Sequence, residues 1–187
     1  MRNILNNKMI IGLTGKNGTG KTEVANYLKS KGFELISLSD ILREEARKRN
    51  MDEKRDNLIK IGNEIRKKFG SGILAVKAIE KIKKGRNYCI DSIRNPGEIM
   101  EFKKNKNFFL IGIKSDTELR YRRILKRGRI GEDISFEKFK ELEEMENSED
   151  EKKQQLDKCL ELADTIIEND GTIEELYQKV DKILSKF

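Results

Sequence analysis

The chain has 187 residues, of which 36% are hydrophobic and 39% charged, which suits one domain with its own core and a densely charged surface. Two cysteines and no histidine exclude a disulfide framework and an ordinary zinc site. The net charge is +7, yet basic and acidic residues interleave, as over Glu141 to Lys153, so the excess reads as solvated surface and nucleic acid is not an expected partner.

Met9 to Thr14 reads as a buried strand, and the polar segment before it as a frayed tail. Thr22 to Lys31 carries Val24, Ala25 and Leu28 at helical spacing and stops at Gly32. Phe33 to Leu38 is a second strand. Asp40 to Arg49 is helical, with Ser39 or Asp40 as N-cap. Asn57 to Phe69 and Ile73 to Ile82 repeat the helical pattern. Asn87 to Asp91 is a short strand, and a helix starts near Pro96, whose fixed φ suits a first turn. Phe108 to Ile113 is a strand, Asp116 to Lys126 a helix, and Gly128 to Asp133 a loop. Phe136 to Leu162 reads as one long charged helix. Thr165 to Ile167 is the last strand, Asn169 to Gly171 a turn, and Ile173 to Leu184 the closing helix. Strands alternating with helices predict an α/β fold, a parallel sheet covered on both faces. Cys89 and Cys159 read as small buried residues. No apolar run reaches membrane length and no signal peptide is visible, so a cytoplasmic protein without a membrane partner is expected.

Gly15-Lys16-Asn17-Gly18-Thr19-Gly20-Lys21-Thr22 fits G-x-x-x-x-G-K-[ST] at every fixed position, between an apolar strand and an amphipathic helix. Glycines let successive backbone N–H groups point inward at phosphate oxygens, and the following helix adds its positive dipole end. Lys21 can reach the β- and γ-phosphates of ATP, and the Thr22 hydroxyl can ligate Mg²⁺. Asp91, closing its strand, is placed for a Mg²⁺-associated carboxylate. Ser92 follows it where hydrolytic motors often carry a second carboxylate, which favours transfer to an acceptor over hydrolysis. Arg120, Arg123 and Arg127 fall on one helical face, with Arg122 and Arg129 nearby; like charges so placed call for an anion among them. The segment Asn105-Lys106-Asn107-Phe108 lacks the aspartate that guanine recognition requires.

Taken in order, these motifs resemble the nucleoside and deoxynucleoside monophosphate kinase-like P-loop proteins, including the archaeal dephospho-CoA-kinase-like group. The resemblance runs from about Met9 to Leu184. It rests on the P-loop, Ile36 to Arg43, Ile61 to Arg66, Asp91 to Pro96, Arg123 to Arg129, and Ala163-Asp164 with Asn169 to Thr172. It implies a three-layer P-loop kinase fold over 1–187, with a five-stranded parallel sheet of order 2-3-1-4-5 and a helical lid at about 127–150. Leu142 and Met145 stand in that lid where the archaeal pattern tends to be basic. The resemblance implies catalytic roles for Lys21, Asp40 and Arg127. It implies donor contacts from Asn17, Gly18, Thr19, Arg123 and the turn Asn169-Asp170-Gly171. It also implies acceptor contacts from Ser39, Asp40, Arg43, Arg66 and Arg94. The expected activity is ATP- and Mg²⁺-dependent phosphorylation of a small nucleotide-like acceptor by a monomer or homodimer. Dephospho-CoA kinase-like transfer to a hydroxyl is the alternative within enzymes, and a nucleotide-sensing or nucleic-acid-associated module the alternative outside them.

Overall fold

The structure, a computed structural model, describes residues 9–128 and 133–187. The expected frayed tail, Arg129 and most of the loop between Gly128 and Asp133 lie outside the described residues. In chain order the elements are β1 (Ile10–Thr14), α1 (Lys21–Ser30), β2 (Glu34–Ser37), α2 (Leu38–Lys48), α3 (Arg55–Phe69), α4 (Ile73–Ile79) and β3 (Tyr88–Ile93). They continue with α5 (Pro96–Lys103), β4 (Phe108–Lys114), α6 (Thr117–Arg127), α7 (Phe136–Met145), α8 (Leu156–Glu161), β5 (Thr165–Glu168) and α9 (Ile173–Leu184).

The five strands pair in parallel in the order β2-β3-β1-β4-β5, the order the resemblance implied. Strand alternation divides the core between the two sheet faces. Ile10, Ile90 and Leu110 join the cluster with Leu38, Ile61, Leu74 and Phe102. Ile11, Leu13, Cys89 and Ile111 join the opposite cluster with Leu28, Leu176 and Val180. Each fully buried Val, Ile, Leu or Phe side chain among them contributes about 1.5–3 kcal/mol. Helix α9 shows the local logic: a Thr172/Glu175 capping box starts it, and Leu176, Val180 and Ile183 form its buried stripe. Both cysteines are free and buried, and burial pushes both thiols up.

Three local expectations need correction. The stretch from Phe136 to Leu162 is not one helix: α7 ends at Met145 and α8 begins at Leu156. Between them Asn147 bridges Gln155 antiparallel. The Asn95 side-chain amide donates to the carbonyls of Glu151, at 2.8 Å, and Lys153. These tertiary bonds supply the backbone partners that a continuous helix would have supplied. Helix α2 begins at Leu38 with Ser37 at its cap, so neither Ser39 nor Asp40 caps it. Strand β3 runs through Asp91 to Ile93, with a register shift against β1 between Gly12 and Thr14.

Candidate active site

The C-terminal ends of β1 and β3 open into a cleft of about 1360 Å³, the place where open α/β sheets accept ligands. One wall is the P-loop with Lys21 and Thr22 at the start of α1; the other is formed by α2, the N-terminal turns of α3 and the end of β3.

The P-loop is shaped by its glycines. Gly15, Gly18 and Gly20 have φ of +140°, +78° and +97°, where a Cβ is strained. A Cβ at Gly18 would also meet the Arg120 carbonyl oxygen at 2.6 Å, and one at Gly20 would strike the Asn169 amide. That amide donates to the Thr19 carbonyl at 2.8 Å, so the turn after β5 clamps the loop. The Lys21 ammonium curls under the loop and donates to the carbonyls of Gly15 and Lys16 at 2.6 and 2.8 Å. Burial pulls it down to about 7; the Arg94 and Arg55 charges push the same way, and Asp91 and Glu146 oppose them.

This is a cradle that fits a polyphosphate: a buried cation, a glycine-shaped backbone and a helix N-terminus converge on it. Thr22 and Asp91 both line the cleft and are the hard oxygen donors that would hold Mg²⁺. Among the described residues no group of three or more His, Cys, Asp or Glu could hold a metal. Magnesium needs none, because it takes one or two protein oxygens and completes its shell with phosphates and water.

At the end formed by α6 and the turn after β5, Arg123 and Arg127 line the cleft together with Asn169 and Gly171. Arg123 Nη1 donates to the Asn169 carbonyl at 2.9 Å and to Ser115 Oγ at 3.1 Å. Arg127 Nη2 donates to Asn17 Oδ1 at 3.1 Å. Asp170 turns away: its carboxylate accepts from the Asp116 amide at 2.8 Å and lines a smaller recess on the other side of the loop. Arg120 is buried and paired with Glu143 of α7, its Nη2 lying 3.1 Å from Oε2, while Nη1 also donates to the Asn17 carbonyl. The anion that the arginine face called for is therefore, at Arg120, a glutamate of this chain.

Along α2 and just past β3, Ser39, Asp40, Arg43 and Arg94 line the cleft. Arg43 Nη1 donates to Asp40 Oδ1 at 2.7 Å and to Ser39 Oγ at 3.2 Å, and Nε lies 3.5 Å from Glu53. Ser39 continues a hydroxyl chain to Ser37, 2.9 Å away, and Ser92, 3.2 Å away. Ser92 holds φ of +66° and donates its amide to Asp91 Oδ1 at 2.6 Å, a strained backbone position at the cleft of the kind that collects at functional sites.

Arg66 does not join this set. It is 1% exposed, and its Nε and Nη2 both donate to Glu98 Oε1, at 2.9 and 2.7 Å. Its charge is spent on a carboxylate that has no exposure at all.

Sequence reasoning missed Arg55 and Glu146. The Glu146 carboxylate is 1% exposed and accepts from Arg55 Nε at 3.1 Å, Arg55 Nη2 at 2.8 Å, and Arg94 Nη1. Burial alone would raise its carboxyl, but the Arg94 and Arg55 guanidiniums outweigh burial and hold it at about 2. No local pattern marks this trio, whose members are drawn from α3, the turn after β3 and the end of α7.

A family model described as an AAA domain matches residues 11–157. The UPF0200 protein of Sulfurisphaera tokodaii is 38% identical over 177 residues, covering 95% of this chain and 96% of its own. The chain belongs to the UPF0200 family. Among solved structures, TT1252 from Thermus thermophilus superposes with a TM-score of 0.59 at 21% identity, over 96% of this chain and 97% of its own. Shikimate kinase from Bacteroides thetaiotaomicron gives 0.58 at 14% identity, over 95% and 98%. The fold is that of the P-loop kinases. At these identities the likeness is one of fold, and it leaves the reaction and its acceptor open.

Proposed function

We propose that this UPF0200 member is an ATP- and Mg²⁺-dependent phosphotransferase that phosphorylates a nucleoside or deoxynucleoside monophosphate. The observation that carries this reading is the open guanidinium edge of Arg94 in the same cleft as the P-loop lysine. Arg94 spends only Nη1 on its neighbours Glu146 and Gln154. Among the described residues its Nε and Nη2 have no hydrogen-bond partner.

In this reading the P-loop amides and Lys21 hold the β- and γ-phosphates. Arg123, with the Asn169 turn, borders the donor base, and Arg127 reaches its phosphates. Thr22 and Asp91 would hold Mg²⁺, which would neutralise charge at the transferring group. Arg94 takes the acceptor phosphate, with Arg43 beside it. A phosphate acceptor is already ionised at neutral pH, so Asp40 serves to orient Arg43 and needs no role as base. The work of the site is positioning and charge stabilisation, as phosphoryl transfer demands. The expected setting is the cytoplasm, the expected partner a small molecule, and the expected assembly a monomer or homodimer.

A second reading, dephospho-CoA kinase-like transfer to a hydroxyl, is favoured by one observation. Asp40 and the Ser37–Ser39–Ser92 hydroxyls share the acceptor wall, where a carboxylate could receive an alcohol proton. Incubation with ATP, Mg²⁺, the nucleoside monophosphates and dephospho-CoA, followed by phosphorus NMR, separates the two. Diphosphate formation from a nucleotide supports the first; conversion of dephospho-CoA alone replaces it with the second.

A further inference from the structure

The phosphotransfer reading leaves Glu146 and Arg55 without a task. Glu146 caps the C-terminus of α7 and is 1% exposed. A buried carboxylate is costly unless charged donors hold it. Here the fork of Arg55, the first residue of α3, takes both its oxygens. Arg55 in turn lies over the Phe139 ring, 5.6 Å from its centroid. The carboxylate is thereby a fixed point between two helices. With two guanidiniums on it, it stays ionised and has no proton to exchange.

Arg94 hangs from this point by Nη1 alone, with Gln154 Oε1 a further 3.4 Å contact. An arginine held at one nitrogen has lost most of its rotamer freedom while its Nε–Nη2 edge stays available. That edge is the one that receives two oxygens of a phosphate or carboxylate at once. Arg94 is 17% exposed and borders the cleft that also holds Lys21.

We propose that Glu146 is a positioning residue: it fixes Arg94 so that the Nε–Nη2 edge forms an oxyanion subsite, and this subsite takes the anionic group of the acceptor. Calling the ligand an acceptor rests on the phosphotransfer reading; the subsite itself does not. Charge alone argues the other way, since removing a carboxylate near an arginine tightens any anion. Glu146→Asp separates the two effects. It keeps the charge and withdraws the carboxylate by one methylene, about 1.5 Å.

The test uses the full chain with the P-loop filled by a non-hydrolysable ATP analogue and Mg²⁺. The Arg94 Nε–H resonance, assigned through Arg94→Lys, is followed by nitrogen–proton NMR during titration with inorganic phosphate and, separately, acetate. The resonance is expected to move saturably, with the stronger anion identifying the subsite as one for phosphate or for carboxylate. In Glu146→Asp the apparent Kd should rise about tenfold, as a misplaced charged fork implies, while the ATP analogue binds within about twofold of wild type. Should the Asp variant not fold, Arg55→Lys carries the same test: it removes the fork that anchors Glu146 without touching the anion. Affinity that is unchanged or tighter in the folded variant overturns the proposal. So does an Arg94 resonance silent to both anions in a protein that turns an acceptor over. A responsive Arg94 in a chain that transfers no phosphoryl group keeps the subsite and removes the phosphotransfer reading instead.

Discussion

Replacing Arg66 by alanine should act on stability. Glu98 has no exposure, and its Oε1 accepts both Arg66 bonds while Oε2 accepts the amides of Arg94 at 2.8 Å and Asn95 at 3.1 Å. Arg66→Ala strips Oε1 and leaves a buried carboxylate with half its partners. Breaking a buried pair in this way costs about 3–5 kcal/mol. For a chain of this size each kcal/mol moves Tm by roughly 2–4 °C, so the fall should be roughly 6–20 °C. Thermal unfolding by circular dichroism measures it. The double variant Arg66→Met with Glu98→Gln should recover part of the loss, because no charge is then left buried. A Tm within about 2 °C of wild type for Arg66→Ala would refute this account of the pair. Unchanged stability with a raised acceptor KM would return Arg66 to the acceptor site.

Binding of an ATP analogue should take up a proton above neutral pH. Lys21 sits at about 7 in the free protein, so at pH 8 only about a tenth of it is charged; polyphosphate oxygens favour the charged form and raise it. Calorimetry in buffers of different ionisation enthalpy should show uptake approaching about one proton at pH 8, vanishing below pH 6 where Lys21 is already charged, and absent in Lys21→Ala. Gly20→Ala should abolish ATP binding, since its Cβ drives the Asn169 amide off the Thr19 carbonyl at a φ that alanine tolerates poorly; equilibrium binding of a fluorescent ATP analogue at wild-type affinity would contradict this.

The P-loop was legible because its chemistry is contiguous in sequence: the strand, the eight residues and the helix each carry their own local signal. Sheet order came from the ordered motifs of the resemblance, since hydrophobic patterning gives strands but not their neighbours. The break after Met145 was hidden because Glu and Lys recur on both sides of it with helical spacing. What ends α7 is distant: Arg55 and Arg94 hold Glu146, and Asn95 holds the loop that follows. The burial of Arg66 was equally invisible, although the Asn95/Glu98 capping box at α5 could have marked Glu98 as fixed beside Arg94. An arginine reads the same in sequence whether its anion is a ligand or a glutamate, and Arg66, Arg120 and Arg94 show the range of outcomes.

The most direct measurement of the central claim is product formation from ATP carrying a labelled γ-phosphoryl group, in wild type and Lys21→Ala. With Mg²⁺ and the nucleotide panel, the label should appear in one phosphorylated acceptor. In Lys21→Ala transfer should fall at least about a hundredfold while the melting temperature stays close to wild type. Equal transfer by both proteins, or ATP consumption with no labelled acceptor, would contradict the assignment of this cleft to phosphoryl transfer.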